Sequence, residues 1–222
     1  MRRPELPCVL LAAAIGAAYL AFAPGGADLV AAAFRSDLFA RHGFVVVNEA
    51  WYGGHHVPAY SLLGPALMAW VGPRVAATVA VVVASGLFAA LLARTVPRRP
   101  TLPAGLWFAA GAGAMLFTDR IAFLTGLPFA LGALLALAHE RRALALALAV
   151  VTPLVSPVDG AFLALAAVAW GIAARRPLGI GIAVAALAPV AVLNALFPEG
   201  GDFPLPATVY GPALAALAIA WW

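Results

Sequence analysis

Lysine is absent, cysteine occurs once, and charged residues of any kind make up only 10% of the 222 residues. A water-soluble domain carries about a quarter charged residues. With 65% hydrophobic residues and a mean hydropathy of +1.02, the chain has too little polar surface to cover a soluble globule. The lone Cys8 excludes an intrachain disulfide and leaves the redox compartment unread. No fixed-period repeat is present. All thirteen basic residues are arginine, a bias that, with the excess of alanine, points to a GC-rich bacterial coding sequence. The net charge of +4 and pI near 10 do not indicate a nucleic-acid partner. The arginines form small clusters between apolar runs, which is how topology signals are spaced.

What is present is a succession of apolar runs, several long enough to cross about 30 Å of hydrocarbon. The expected fold class is all-α, a polytopic transmembrane helical bundle of seven or eight spans. These are placed near 6–22, 75–93, 102–117, 121–138, 143–155, 161–174, 178–197 and 208–222, with a long outer loop at 24–74. Ala21-Phe22-Ala23 resembles a signal-cleavage site after the Arg2-Arg3 start, but Pro24 obstructs cleavage, so the first run is read as an uncleaved helix. With the N-terminus cytoplasmic, nine arginines fall on inner loops: Arg2, Arg3, Arg94, Arg98, Arg99, Arg141, Arg142, Arg175 and Arg176. The expected location is therefore a bacterial cytoplasmic (inner) membrane, multi-pass. The chain stops mid-run at "ALAIAWW", so it is expected to be the N-terminal part of a longer protein.

Polar and aromatic residues gather in the outer loop, where function is expected to concentrate. "DLVAAAFRSDLFARH" reads as a helix from about Asp28, with Asp28 near enough to its start to cap it. Asp28, Arg35 and His42 are seven apart and share a stripe, and Asp37 and Arg41 form an i,i+4 pair. "WYGGHHVPAYSLL" follows: Gly53-Gly54 predicts a turn that displays His55 and His56. Two histidines are too few for zinc, which takes three or four ligands, so no metal residues are assigned; contact with an anion or phosphate, or structural hydrogen bonding, fits better. Trp51, Tyr52 and Tyr60 are suited to stack on a sugar ring or to anchor at the interface. Ala59–Val71 is short for a span and contains Pro65, so it reads as a helix along the outer interface. "SPVDG" reads as a turn with Asp159 capping the next helix.

The order of these features resembles the GT-C superfamily of membrane glycosyltransferases, which includes protein mannosyltransferases and aminoarabinose transferases. The matching residues are Asp28 after the first run, "LFARHGF" at Leu38–Phe44, "GGHHVPAYSLLGPALMAWVGPRVAA" at Gly53–Ala77, and "FTDR" at the end of the third run. Asp28 lacks the acidic neighbour usual there, and His55-His56 stand where lysine or glutamate is expected. The resemblance implies transfer of a sugar from a polyprenyl-phosphate carrier to an extracytoplasmic acceptor. It implies Asp28 as general base. It implies His55, His56 and Arg74 as contacts to the lipid-linked phosphate, whose departing charge needs a cation or a divalent metal. Asp119 and Arg120 form a second polar element. The partners are then the lipid bilayer and a lipid-linked sugar donor, with no nucleic acid. A multi-pass transporter or a non-catalytic integral membrane protein are the other readings; nearly charge-free spans disfavour transport.

Overall fold

The computed structural model describes residues 5–22, 24–50, 54–96 and 101–198. These form α1 (Glu5–Phe22), α2 (Ala27–His42), β1 (Val47–Asn48), β2 (His55–His56), a 3-10 turn at Val57–Ala59, α3 (Gly64–Val71) and α4 (Pro73–Thr95). There follow α5 (Leu102–Leu116), α6 (Ile121–Ala138), α7 (Arg142–Val155), α8 (Pro157–Ala174) and α9 (Leu178–Leu196). Alanine and leucine favour the helix, and in lipid a helix satisfies every backbone group internally. Proline and glycine set the boundaries. Prolines occupy the first turn of α3, α4, α5 and α8, where a missing N–H is no loss. Gly43 and Gly72 end α2 and α3 at φ of 69° and 83°, a conformation that favours glycine.

Among the described residues five helices, α1, α4, α6, α8 and α9, are long and apolar enough to cross a membrane. The other two apolar helices, α5 and α7, have 15 and 14 residues. At 1.5 Å per residue they measure about 21–23 Å, less than the hydrocarbon thickness. The run at 208–222 lies outside the described residues.

The helices pack in two groups that share α6. Cys8, Ala12 and Tyr19 of α1 meet Ala77 and Val81 of α4, Ala109 and Leu116 of α5, and Ile121 and Leu124 at the start of α6. Further along α6, Ala133 and Leu137 pack with Ala145 and Ala149 of α7, Leu163 and Ala167 of α8, and Ile182 and Ala186 of α9. Small residues at the crossings let the backbones approach closely. A Cβ at Gly105 would meet the Cys8 thiol at 2.7 Å, and one at Gly113 would meet Ile15 at the same distance.

The 24–74 segment folds over one end of this bundle. Arg74 donates to the Pro24 carbonyl at 2.7 Å and ties the segment's two ends together. Its middle docks on α7. The backbone N–H groups of Leu62 and Leu63 both donate to the Leu154 carbonyl, at 2.9 and 2.8 Å. The Ser61 hydroxyl donates to the Val155 carbonyl at 2.7 Å and accepts from the Gly64 N–H at 3.1 Å. Carbonyls at a helix C-terminus lack intrahelical partners, and this segment supplies them. Arg94, Arg141, Arg142, Arg175 and Arg176 lie at the opposite end of the bundle, where α4, α6 and α8 finish.

Three expectations are corrected. The helix expected over Ala59–Val71 is a 3-10 turn followed by α3 from Gly64. Pro65 sits in the first turn of α3, where its missing N–H is no loss, and residues 61–63 are drawn off to α7. Asp28 does not cap α2: Gly26 is the N-cap and Asp28 lies inside the first turn. His55 and His56 lie on a strand, not on a turn, paired antiparallel as Asn48↔His55 and Val47↔His56.

Ser61→Ala removes both hydroxyl bonds from a buried site. It is expected to lower stability by about 1–3 kcal/mol, read as a fall in the thermal midpoint of the detergent-solubilised protein. An unchanged midpoint would show that the docking contact carries no weight.

Candidate functional site

Between α2, β2, α3, the α5–α6 turn and the starts of α6 and α8 lies a cavity of about 890 Å³. Its polar lining comprises Asp28 and Arg35 of α2, His55 and His56 of β2, Tyr60 and Ser61, and Asp119 and Arg120 of the α5–α6 turn. Its apolar lining includes Phe34, Met68, Met115, Ile121, Phe123 and Phe162. Phe123 of α6 and Phe162 of α8 meet edge to face, with centroids 6.2 Å apart. Ligand sites commonly combine such an apolar lining with a few convergent polar groups.

Helical spacing brings Asp28 and Arg35 to the cavity together, two turns apart on one face of α2. His42, two turns further, is exposed beyond the cavity. Arg120 Nη1 donates to Asp28 Oδ2 at 2.8 Å, joining α2 to the α5–α6 turn across 92 residues of sequence. Both side chains of this pair are more than half exposed, so water screens it. Arg35 Nη2 donates to the Val57 carbonyl at 3.0 Å. Its guanidinium also lies over the Tyr60 ring, 5.1 Å from the centroid. These contacts fix a planar cation in the cavity wall. Burial pushes the Tyr60 phenol up from its ordinary value, against a smaller opposing pull from Arg35. The phenol is thus a neutral donor at neutral pH.

Asp119 is the more sheltered carboxylate. It closes the tight α5–α6 turn at φ 56° and is 4% exposed. It packs so closely on Gly26 that a Cβ there would overlap its carboxylate. Among the described residues its Oδ1 has no hydrogen-bond partner. Buried polar atoms are nearly always satisfied, and an orphan on a cavity wall marks a place where a ligand donor fits.

Of the nine residues singled out in sequence, the structure brings Asp28, His55, His56, Tyr60, Asp119 and Arg120 to this one cavity. Arg74 is not among the lining residues; its guanidinium holds the Pro24 carbonyl. Trp51 and Tyr52 lie outside the described residues. His56 also meets Phe197, just past α9, with ring centroids 5.9 Å apart.

Sequence reasoning passed over three residues. Arg35 was visible in the Asp28 stripe, and two turns of helix suffice to place it. Ser61 carried no local signal, because its partner is 94 residues away. Asp159 was read as a cap, but Ser156 is the N-cap of α8 and accepts from the Asp159 N–H at 3.4 Å. The Asp159 side chain turns inward instead, 1% exposed, against Gly126 of α6. Neither of its carboxylate oxygens has a hydrogen-bond partner among the described residues.

Among the described residues no three His, Cys, Asp or Glu side chains group closely enough to hold a metal ion. No family model matches the chain, and neither does any curated protein or solved structure.

The exposed Asp28–Arg120 pair is expected to contribute less than about 1 kcal/mol. Asp28→Asn should therefore leave the thermal midpoint of the purified protein within a few degrees of the parent. A collapse of the fold on this substitution would make Asp28 a structural anchor.

Proposed function

We propose that the chain is a GT-C-like membrane glycosyltransferase acting on a polyprenyl-phosphate sugar. The observation that carries this reading is the mixed lining of one cavity. Two carboxylates, two arginines and two histidines share a single space with aromatic and aliphatic side chains. A lipid-linked sugar phosphate offers the same two kinds of surface, an anionic and hydroxyl-rich head on an apolar chain.

In this reading the acceptor hydroxyl attacks the anomeric carbon of the bound sugar. The new C–O bond forms as the bond from that carbon to the phosphate oxygen breaks, and the polyprenyl phosphate leaves with the electron pair. The hydroxyl proton passes to the Asp28 carboxylate. Arg35 and Arg120, both on the cavity wall, meet the charge on the departing phosphate, for which a guanidinium offers paired donors. Asp119 Oδ1 accepts from a sugar or acceptor hydroxyl, filling the acceptor that the protein leaves open. The histidines and Tyr60 border the head group. Arg74 is withdrawn from the phosphate contact, since it is engaged at Pro24.

The reading includes the finer topology. α5 and α7 also cross, the bilayer thinning or the flanking residues reaching outward to meet their shorter length. The arginine-rich end faces the cytoplasm of a bacterial inner membrane, as the charge rule for short loops requires, and the N-terminus lies on that side. The cavity then opens on the extracytoplasmic surface, where a lipid-linked donor presents its sugar.

Asp28→Asn should reduce transfer from a polyprenyl-phosphate sugar by at least about 100-fold, the usual contribution of a positioned base, with membrane insertion intact. The assay is sugar transfer in proteoliposomes supplied with the lipid-linked donor. Transfer undiminished in the variant would remove Asp28 as the base. Failure of the parent protein to bind any polyprenyl phosphate would remove the reading itself.

A further inference from the structure

The end of the bundle opposite the cavity carries a second organised group of charges. The turn from α6 to α7 contains Glu140, Arg141 and Arg142, and the turn from α8 to α9 contains Arg175 and Arg176. All five are exposed. Arg176 Nη1 donates to Glu140 Oε1 at 3.3 Å, which brings the two turns side by side. Each turn is tight, with Glu140 at φ 58° and Arg175 at φ 53°. The second is narrowed further by Gly171 and Gly179, where a Cβ on Gly179 would fall 2.6 Å from the Gly171 Cα. The positions of the four arginines are thus set by backbone geometry and by one bridge between the turns.

Orientation in a membrane needs only a count of basic residues on the correct side; it does not need two arginine-bearing turns bridged to each other. Nor is the placement favourable for the helices themselves. Arg141 and Arg142 stand at the N-terminus of α7, where the helix dipole favours negative charge. Neither α7 nor α9 has an acidic residue in its first turn or a side-chain cap. Two anions, one at each arginine pair, would offset that repulsion. Next to the arginines the surface is apolar: Leu144, Ile172 and Ile180 are exposed within about a turn of them. A water-borne anion has no use for that border. An amphiphile does.

From this juxtaposition we infer that the α6–α7 and α8–α9 turns form a binding site for an anionic phospholipid, one phosphate per arginine pair, with its acyl chains along α7, α8 and α9. A lipid carrying two phosphates, such as cardiolipin, matches the site best. The inference is independent of the transferase reading, since it uses none of the cavity residues.

The test is native mass spectrometry of the full chain in detergent with cardiolipin, phosphatidylglycerol or phosphatidylcholine of matched acyl length. Cardiolipin should be retained over phosphatidylcholine by more than tenfold. The preference should fall by about fivefold per arginine removed, the weight of one basic residue near an anionic surface. The R141Q/R142Q variant leaves the Glu140–Arg176 bridge in place and is the variant expected to keep its fold. The R141Q/R142Q/R175Q/R176Q variant should lose the preference altogether. R94Q, at the end of α4, should keep it. Equal retention of cardiolipin and phosphatidylcholine by the parent would overturn the site. So would a preference undiminished in R141Q/R142Q, or one reduced equally in R94Q.

Discussion

Three consecutive residues, Ser61 to Leu63, give their hydrogen-bond donors to the last two carbonyls of α7, and the cavity end of the molecule is organised around that contact. A helix ending inside an apolar bundle cannot leave its terminal carbonyls without partners. The outer segment supplies those partners and is thereby fixed in height and rotation above the bundle. Tyr60, immediately before the contact, and Pro65 and Met68, just after it, become cavity wall as a consequence. Arg74 at Pro24 makes the second attachment, joining the start of α4 to the exit from α1. Between these two points the described residues form α2, the β1–β2 pair, a 3-10 turn and α3.

The charges in the cavity are divided by exposure. Asp28 and Arg120 pair while more than half exposed, where water weakens the pair and rearrangement is cheap. Asp119 is sheltered in a tight turn, against a glycine that leaves room for nothing larger. Arg35 is held by the Val57 carbonyl and by the Tyr60 ring, which fixes its guanidinium in the lining.

The elements were legible wherever a local rule governs them. The 121–138 run became Ile121–Ala138 because the turns on both sides allow no other start or end. The helix expected after Asp28 forms with Arg35 on the same face, since seven residues make two turns. What sequence could not show depended on distant partners. Nothing near Ser61 points to Val155, so α3 was expected to begin too early. Nothing near Arg74 points to Pro24, so the tether between the segment's ends had no local signal. The strand character of His55-His56 needs Val47–Asn48 opposite it, and two residues are too few to carry a period. Asp159 was misread because capping is the commonest fate of an aspartate after Ser-Pro; the serine already filled that role.

Asp159 also bears on how the bundle comes together. Its carboxylate has shelter only because Gly126 of α6 has no side chain and Ser156 closes the gap from below. That niche exists only after α6 and α8 have met. Before then, the first turn of α8 carries a naked acid at the border of the hydrocarbon, where such groups are held back toward water. The depth at which α8 sits is thereby tied to its contact with α6, through one glycine and the carboxylate it accommodates.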